Sequence, residues 1–151
     1  MAGLLSVWNP SSPPSPERLY ISDFYLANAP LLHQTHMSRD VRQKFSELSI
    51  QKPEKAFVSY PSPPILFQKM SEVQREAFRT LSGKGLIDLD NLEKGVVRPS
   101  ASGADIFAEQ FLPLFGEEER ALAKFLAESF SQNGHDIAAL RQSTGLRRVG
   151  R

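Results

Sequence analysis

With 151 residues the chain can bury a core without metal or disulfide staples, as one domain or as two subdomains. It contains no cysteine, which excludes disulfide frameworks, thiolate metal sites and thiol nucleophiles and suits a reducing compartment; the expected location is cytoplasmic. Its 18 Lys and Arg stand against 17 Asp and Glu, so the strong positive field of a dedicated nucleic-acid coat is excluded and any such binding must be local.

Residues 1–8 hold an apolar patch (Leu4, Leu5, Val7, Trp8) without the basic start or small-residue cleavage site of a signal peptide. No stretch reaches the ~20 uninterrupted apolar residues of a membrane helix, so a soluble chain with no membrane partner is expected. Eleven prolines punctuate the rest, and the first cluster, Asn-Pro-Ser-Ser-Pro-Pro-Ser-Pro over residues 9–16, predicts an extended leader, taken as residues 1–16. A helix follows, with Ser15 as N-cap, Pro16 at its first position and Glu17 near the positive end of its dipole, running to about Asn28. Its apolar residues (Leu19, Tyr20, Ile21, Phe24, Tyr25, Leu26) surround the axis, which places it in the core or at an interface.

Ser38 predicts a second cap, for a helix whose Val41, Phe45 and Leu48 share one face. Tyr60-Pro-Ser-Pro-Pro64 reads as a stiff loop. Ser71-Glu-Val-Gln74 fits a capping box, opening a helix with Val73, Ala77 and Leu81 on one face, Phe78 beside it, and a stop at Gly83 or Gly85. Leu86–Leu89 and Gly95–Pro99, separated by a polar turn, read as two short strands. Helix, glycine and hairpin together make a winged-helix-like unit over about residues 65–99, although any helix can be followed by a hairpin. A short helix is expected before Pro113, then a stronger one opened by Glu117, Glu118 and Glu119 and stopped at Asn133-Gly134. The fold class predicted is thus mainly α with a small β-hairpin: a helical domain over residues 17–134, then a short helix and basic tail over residues 135–151.

No reactive constellation stands out. Gly83-Lys84-Gly85 lacks the length of a phosphate loop, His33 and His36 lack a third metal ligand, and His135-Asp136 has no nucleophile beside it. A protein without catalytic centre, cofactor or metal is therefore expected. Arg75, Arg79, Lys84 and Arg98 on the helix and wing, with Arg147 and Arg148 in the tail, are the candidates for nucleic-acid contact, and a wet charged face is their alternative reading.

Ser22-Asp-Phe-Tyr-Leu26, Tyr60-x-Pro-x-Pro, Phe67-x-x-Met70, Gln74-x-x-Ala77-x-x-x-Leu81 and Lys84-Gly-Leu-Ile87 occur in an order that resembles the middle component of ABC-three-component systems, including the Lamassu-type anti-phage operons. The resemblance spans about residues 19–97, and the Ala27-Asn-Ala-Pro30 end of the first long helix departs from it. It implies a non-enzymatic adaptor beside an SMC/Rad50-like ATPase and an effector, commonly a nuclease, with DNA reached through the complex. On that reading Leu19, Tyr20, Phe24, Tyr25, Leu26, Tyr60, Phe67 and Met70 form the partner-binding surface. The alternative from another class is a winged-helix DNA-binding regulator or antitoxin.

Overall fold

The structure, a computed structural model, describes residues 1–53, 61–130 and 136–147. The helix opened by Ser15 (α2, Pro16–Ala27, following α1, Ala2–Val7) forms as its sequence predicts, with the Ser15 hydroxyl accepting from the Arg18 amide at 3.2 Å. Leu19, Ile21, Phe24 and Tyr25 are buried, so α2 is the central rod of the core. A 3-10 segment, Ala29–Gln34, leads from it to α3 (Arg39–Glu47), which Ser38 caps and whose Phe45 points inward.

An unbroken row of rings runs through the interior. It passes from Phe67 to Phe24 (5.6 Å between centroids), Tyr25 (5.1 Å), Phe130 (5.4 Å), Phe125 (6.2 Å), Phe45 (5.8 Å) and His33 (4.8 Å). Most neighbours meet edge to face, a geometry in which each pair contributes ~0.5–1.5 kcal/mol beyond its buried area. This row joins five stretches of chain between residues 24 and 130.

The chain corrects several expectations. Residues 1–16 are not an extended leader throughout: Ala2–Val7 is helical and its Leu4 and Leu5 are buried, because the apolar patch at the N-terminus has a core to enter. The proline stretch after it folds back, with Trp8 Nε1 donating to the Ser12 carbonyl at 2.9 Å and the Val97 amide to Pro14 at 2.8 Å. Pro63 and Pro64 open a helix (α4, Pro63–Lys69) instead of closing a loop; the first turn of a helix needs no amide donors, so prolines fit there.

The winged-helix hairpin is likewise replaced. After α5 (Ser71–Gly83), residues 86–100 pair only through an isolated bridge of Ile87 with Pro99, while Leu89–Glu93 forms α6. The Asp88 carboxylate caps α6 by accepting from the Asp90 and Asn91 amides at 3.0 and 3.3 Å, and Gly95, at φ 82°, takes the left-handed turn just beyond the helix. A segment read as strand, turn, strand thus spends its turn residues on a cap.

Downstream, α7 (Ala101–Ile106) widens into a π turn, Phe107–Phe111, and then a 3-10 turn, Leu112–Leu114. Pro113 has no amide to give, and the Leu112 amide reaches back to Phe107, so the helix loosens where proline enters it. Helix α8 (Glu117–Phe125) continues into a second π turn, Leu126–Phe130, which packs against α2. The Asn133-Gly134 stop lies outside the described residues. Finally α9 (Ile137–Thr144), capped by Asp136, buries Leu140 and, past Gly145, Leu146. Arg141 of α9 grips Glu17 of α2, its Nε donating to Oε1 at 2.7 Å and its terminal nitrogen to Oε2, a pairing that raises the Arg141 pKa. No helix of the described residues is long and apolar enough to cross a membrane.

Candidate functional site

The expected capping box does not form on α5. Gln74 turns inward, 2% exposed, and its side-chain nitrogen donates to the Tyr20 carbonyl and to Asp23 Oδ2, both at 2.9 Å. Burying a polar amide is tolerated only when its hydrogen bonds are made, and α2 supplies them. The same rotation sets Phe78 edge to face against Tyr20 at 6.2 Å.

Turning Gln74 and Phe78 inward rolls the apolar stripe outward. Val73, expected to share one apolar face with Ala77 and Leu81, is 71% exposed, and Ala77 is exposed beside it. This stripe is one wall of an open trough of about 1190 Å³. The opposite wall is Ile106, Gln110, Phe111 and Leu114, and Leu114 is itself 74% exposed. Three of the protein's five exposed large hydrophobic residues among those described therefore face one opening, whereas exposed apolar residues on an ordinary surface are scattered singly.

The floor is built by a close approach. Phe115 packs against Gly3 of α1, where a Cβ would come within 2.4 Å of the ring, so the glycine is what permits this close an approach. The π turn and Pro113 aim Phe111 and Leu114 into the trough by breaking the regular helix before it can carry them elsewhere. Sequence reading missed Gly3, Ile106, Phe111, Leu114 and Phe115 as site residues. The available signal was Pro113 inside an apolar run, a mark of irregular helix.

The expected partner-binding residues are placed differently from one another. Leu19, Phe24, Tyr25 and Phe67 are covered by the chain's own core, so the surface assigned to a partner is already used in folding. Burial pushes the Tyr25 hydroxyl pKa well up, leaving it protonated. Tyr20 and Met70 are half-buried, and Leu26 lines the trough. Tyr60 lies outside the described residues.

Nor are the candidate nucleic-acid contacts gathered. Arg79 sits on the outer surface, 3.7 Å from Glu76, and the Arg75 guanidinium bonds to Ser71 of its own helix at 3.4 Å. Lys84 edges the trough, whereas Arg98 lines a separate, smaller cleft beside Trp8. The Arg147 carbonyl accepts from Gln68, and Arg148 lies outside the described residues. With the hairpin absent, no wing carries Arg98.

His33 and His36 also part company. His33 Nε2 lies 2.6 Å from the Ile50 carbonyl, which requires its protonated tautomer at that nitrogen, while His36 is exposed and its backbone amide bonds to Ser143. Among the described residues, no group of three His, Asp or Glu side chains is placed to hold a metal ion.

These features define a small helical protein with a closed aromatic core and a wide apolar opening on one side. The chain belongs to the Middle Component 5 family of ABC-three component (ABC-3C) systems, whose family model matches residues 1–148. It is thus one component of a multi-component system, as the ordered motifs between residues 19 and 97 suggested. Comparison with curated proteins found no match, and comparison with solved structures found none.

Proposed function

We propose that this protein is a non-catalytic adaptor that joins an SMC/Rad50-like ATPase to an effector, commonly a nuclease, in a bacterial anti-phage or anti-plasmid complex of the Lamassu type. The observation that carries this reading is membership of a middle-component family over nearly the whole chain. The trough supports it physically: each large apolar side chain that a partner covers contributes ~1.5–3 kcal/mol before the cost of association is met. An adaptor needs such surface and needs no reacting groups.

In this role the aromatic core keeps the trough rigid, and partners bind to preformed walls. The effector is held to the ATPase and released to act when foreign DNA is sensed, so DNA acts on the assembly and not on this subunit alone.

The test is co-purification. A tagged chain produced together with the products of its neighbouring genes is expected to emerge with both the ATPase and the effector. Recovery of the tagged chain alone, from cells in which both neighbours are soluble, defeats the reading.

A further inference from the structure

The α5 wall of the trough is patterned along its length. Glu72 with Val73, Glu76 with Ala77, and Thr80 with Leu81 line it at a spacing of three and four residues that keeps them on one face of α5, while Lys69 at the end of α4 and Lys84 just past the end of α5 stand at its two ends. From Glu72 to Leu81 the stripe extends ~14 Å at ~1.5 Å per residue. Its apolar seam is Val73, Ala77 and Leu81, and its charges run positive, negative, negative, positive. Ala77, small and central, permits close approach by another backbone. Among the described residues, Glu76 is paired with the exposed Arg79 at 3.7 Å, a contact that solvent screens and a partner can replace.

The same wall of a second copy does not match that pattern. In parallel pairing of two α5 helices every charge would meet its own copy. In full-length antiparallel pairing Lys69 would face Lys84, and the two Glu76 side chains would lie together at the twofold axis. Like charges placed opposite one another oppose association, so self-pairing is selected against.

We propose that the trough receives an amphipathic helix of a different subunit, with apolar residues repeating every three or four positions, basic side chains at its middle opposite Glu72 and Glu76, and acidic side chains toward its ends opposite Lys69 and Lys84. The helix completes a three-walled packing with α5 and the Ile106–Leu114 wall, pressing its apolar stripe on Val73, Ala77, Phe111 and Leu114. This inference rests on the adaptor reading and adds which face is used and what kind of segment fills it.

Because the chain has no cysteine, single thiols can be placed without interference. Val73→Cys, Ala77→Cys and Leu114→Cys, each labelled with a benzophenone maleimide, are to be cross-linked in the complex formed with the two neighbouring subunits and the sites mapped by mass spectrometry. Positions 73 and 77 are expected to mark one partner subunit at sites three or four residues apart, as a helix requires. Val73→Asp with Leu114→Asp is expected to cut partner recovery roughly tenfold or more, as loss of a central apolar anchor does, without lowering the melting temperature. Glu72→Lys with Glu76→Lys is expected to cut it more at low salt than at high salt. Cross-links two residues apart, the mark of an extended strand, overturn the proposal, as do cross-links to a second copy. Undiminished recovery with the Asp pair overturns it too, yet leaves the adaptor reading standing; failure of the unmodified chain to bring down either neighbour removes both.

Discussion

Gln74 of α5 donates to Asp23 of α2 at 2.9 Å, and the second oxygen of Asp23 accepts from the Met1 amine at 3.0 Å. One carboxylate therefore ties together α1, α2 and α5, the segments that set the floor and one wall of the trough. Gln74→Ala removes the bond to Asp23 and the one to the Tyr20 carbonyl, which keeps its own helical amide, and leaves the Asp23 oxygen without its donor. The expected loss is ~1–3 kcal/mol, read as a lower urea midpoint with unchanged slope.

The aromatic row and the trough should respond oppositely to truncation. Phe24→Ala, inside the row and fully buried, is expected to cost ~3–5 kcal/mol of stability. Val73→Ala and Leu114→Ala, both more than two-thirds exposed, should stay within ~0.5 kcal/mol of the parent. Thermal melts of the three variants compare core with binding surface. Polar replacements at Phe24 and Tyr25 would abolish partner association by unfolding the subunit, so they do not map its interface.

Two glycines give a matched pair. A Cβ at Gly103 would lie 2.0 Å from the Leu86 carbonyl oxygen, which is backbone and cannot swing aside, so Gly103→Ala should cost ~1–3 kcal/mol. A Cβ at Gly83, in the last turn of α5, meets nothing within 4 Å, and Gly83→Ala should be neutral or gain ~0.4–1 kcal/mol. Guanidinium unfolding of each variant measures the difference directly.

Asp88 carries a pH signature. Its side-chain hydrogen bond with Asn91, helped by the Asn91 and Asp90 amides, holds its pKa below the ordinary 3.8. Because the folded value is depressed, the stabilisation is complete above about pH 4 and is lost as the pH falls through the folded value. Asp88→Asn retains a capping side chain without a titrating one, so stability measured from pH 6 down to pH 2 should fall less steeply than in the parent. An equal slope in both proteins removes Asp88 as a contributor.

Helix starts were legible because they are local chemistry. Ser15 with Pro16, and Ser38, satisfy donors within three residues of themselves, and nothing remote competes with them. The Ser71-Glu-Val-Gln74 box failed for the opposite reason: α2 offered Gln74 two acceptors in a buried place, better than returning to its own helix end. The hairpin failed because Asp88 found amides immediately ahead of it, turning residues expected to reverse the chain into α6.

Composition and spacing were sufficient to define a cysteine-free, proline-punctuated, helical chain, and motif order was sufficient to suggest its family, since these properties survive without knowledge of any neighbour. Which apolar face lies inside could be settled only by the tertiary fold. The apolar residues of α2 and of α5 look alike in sequence, but Phe24 and Tyr25 meet other rings in the core while Val73 is left exposed. That choice depends on long-range contacts, Gln74 with Asp23 and Phe115 against Gly3, between groups whose separation along the chain leaves no local trace of their meeting.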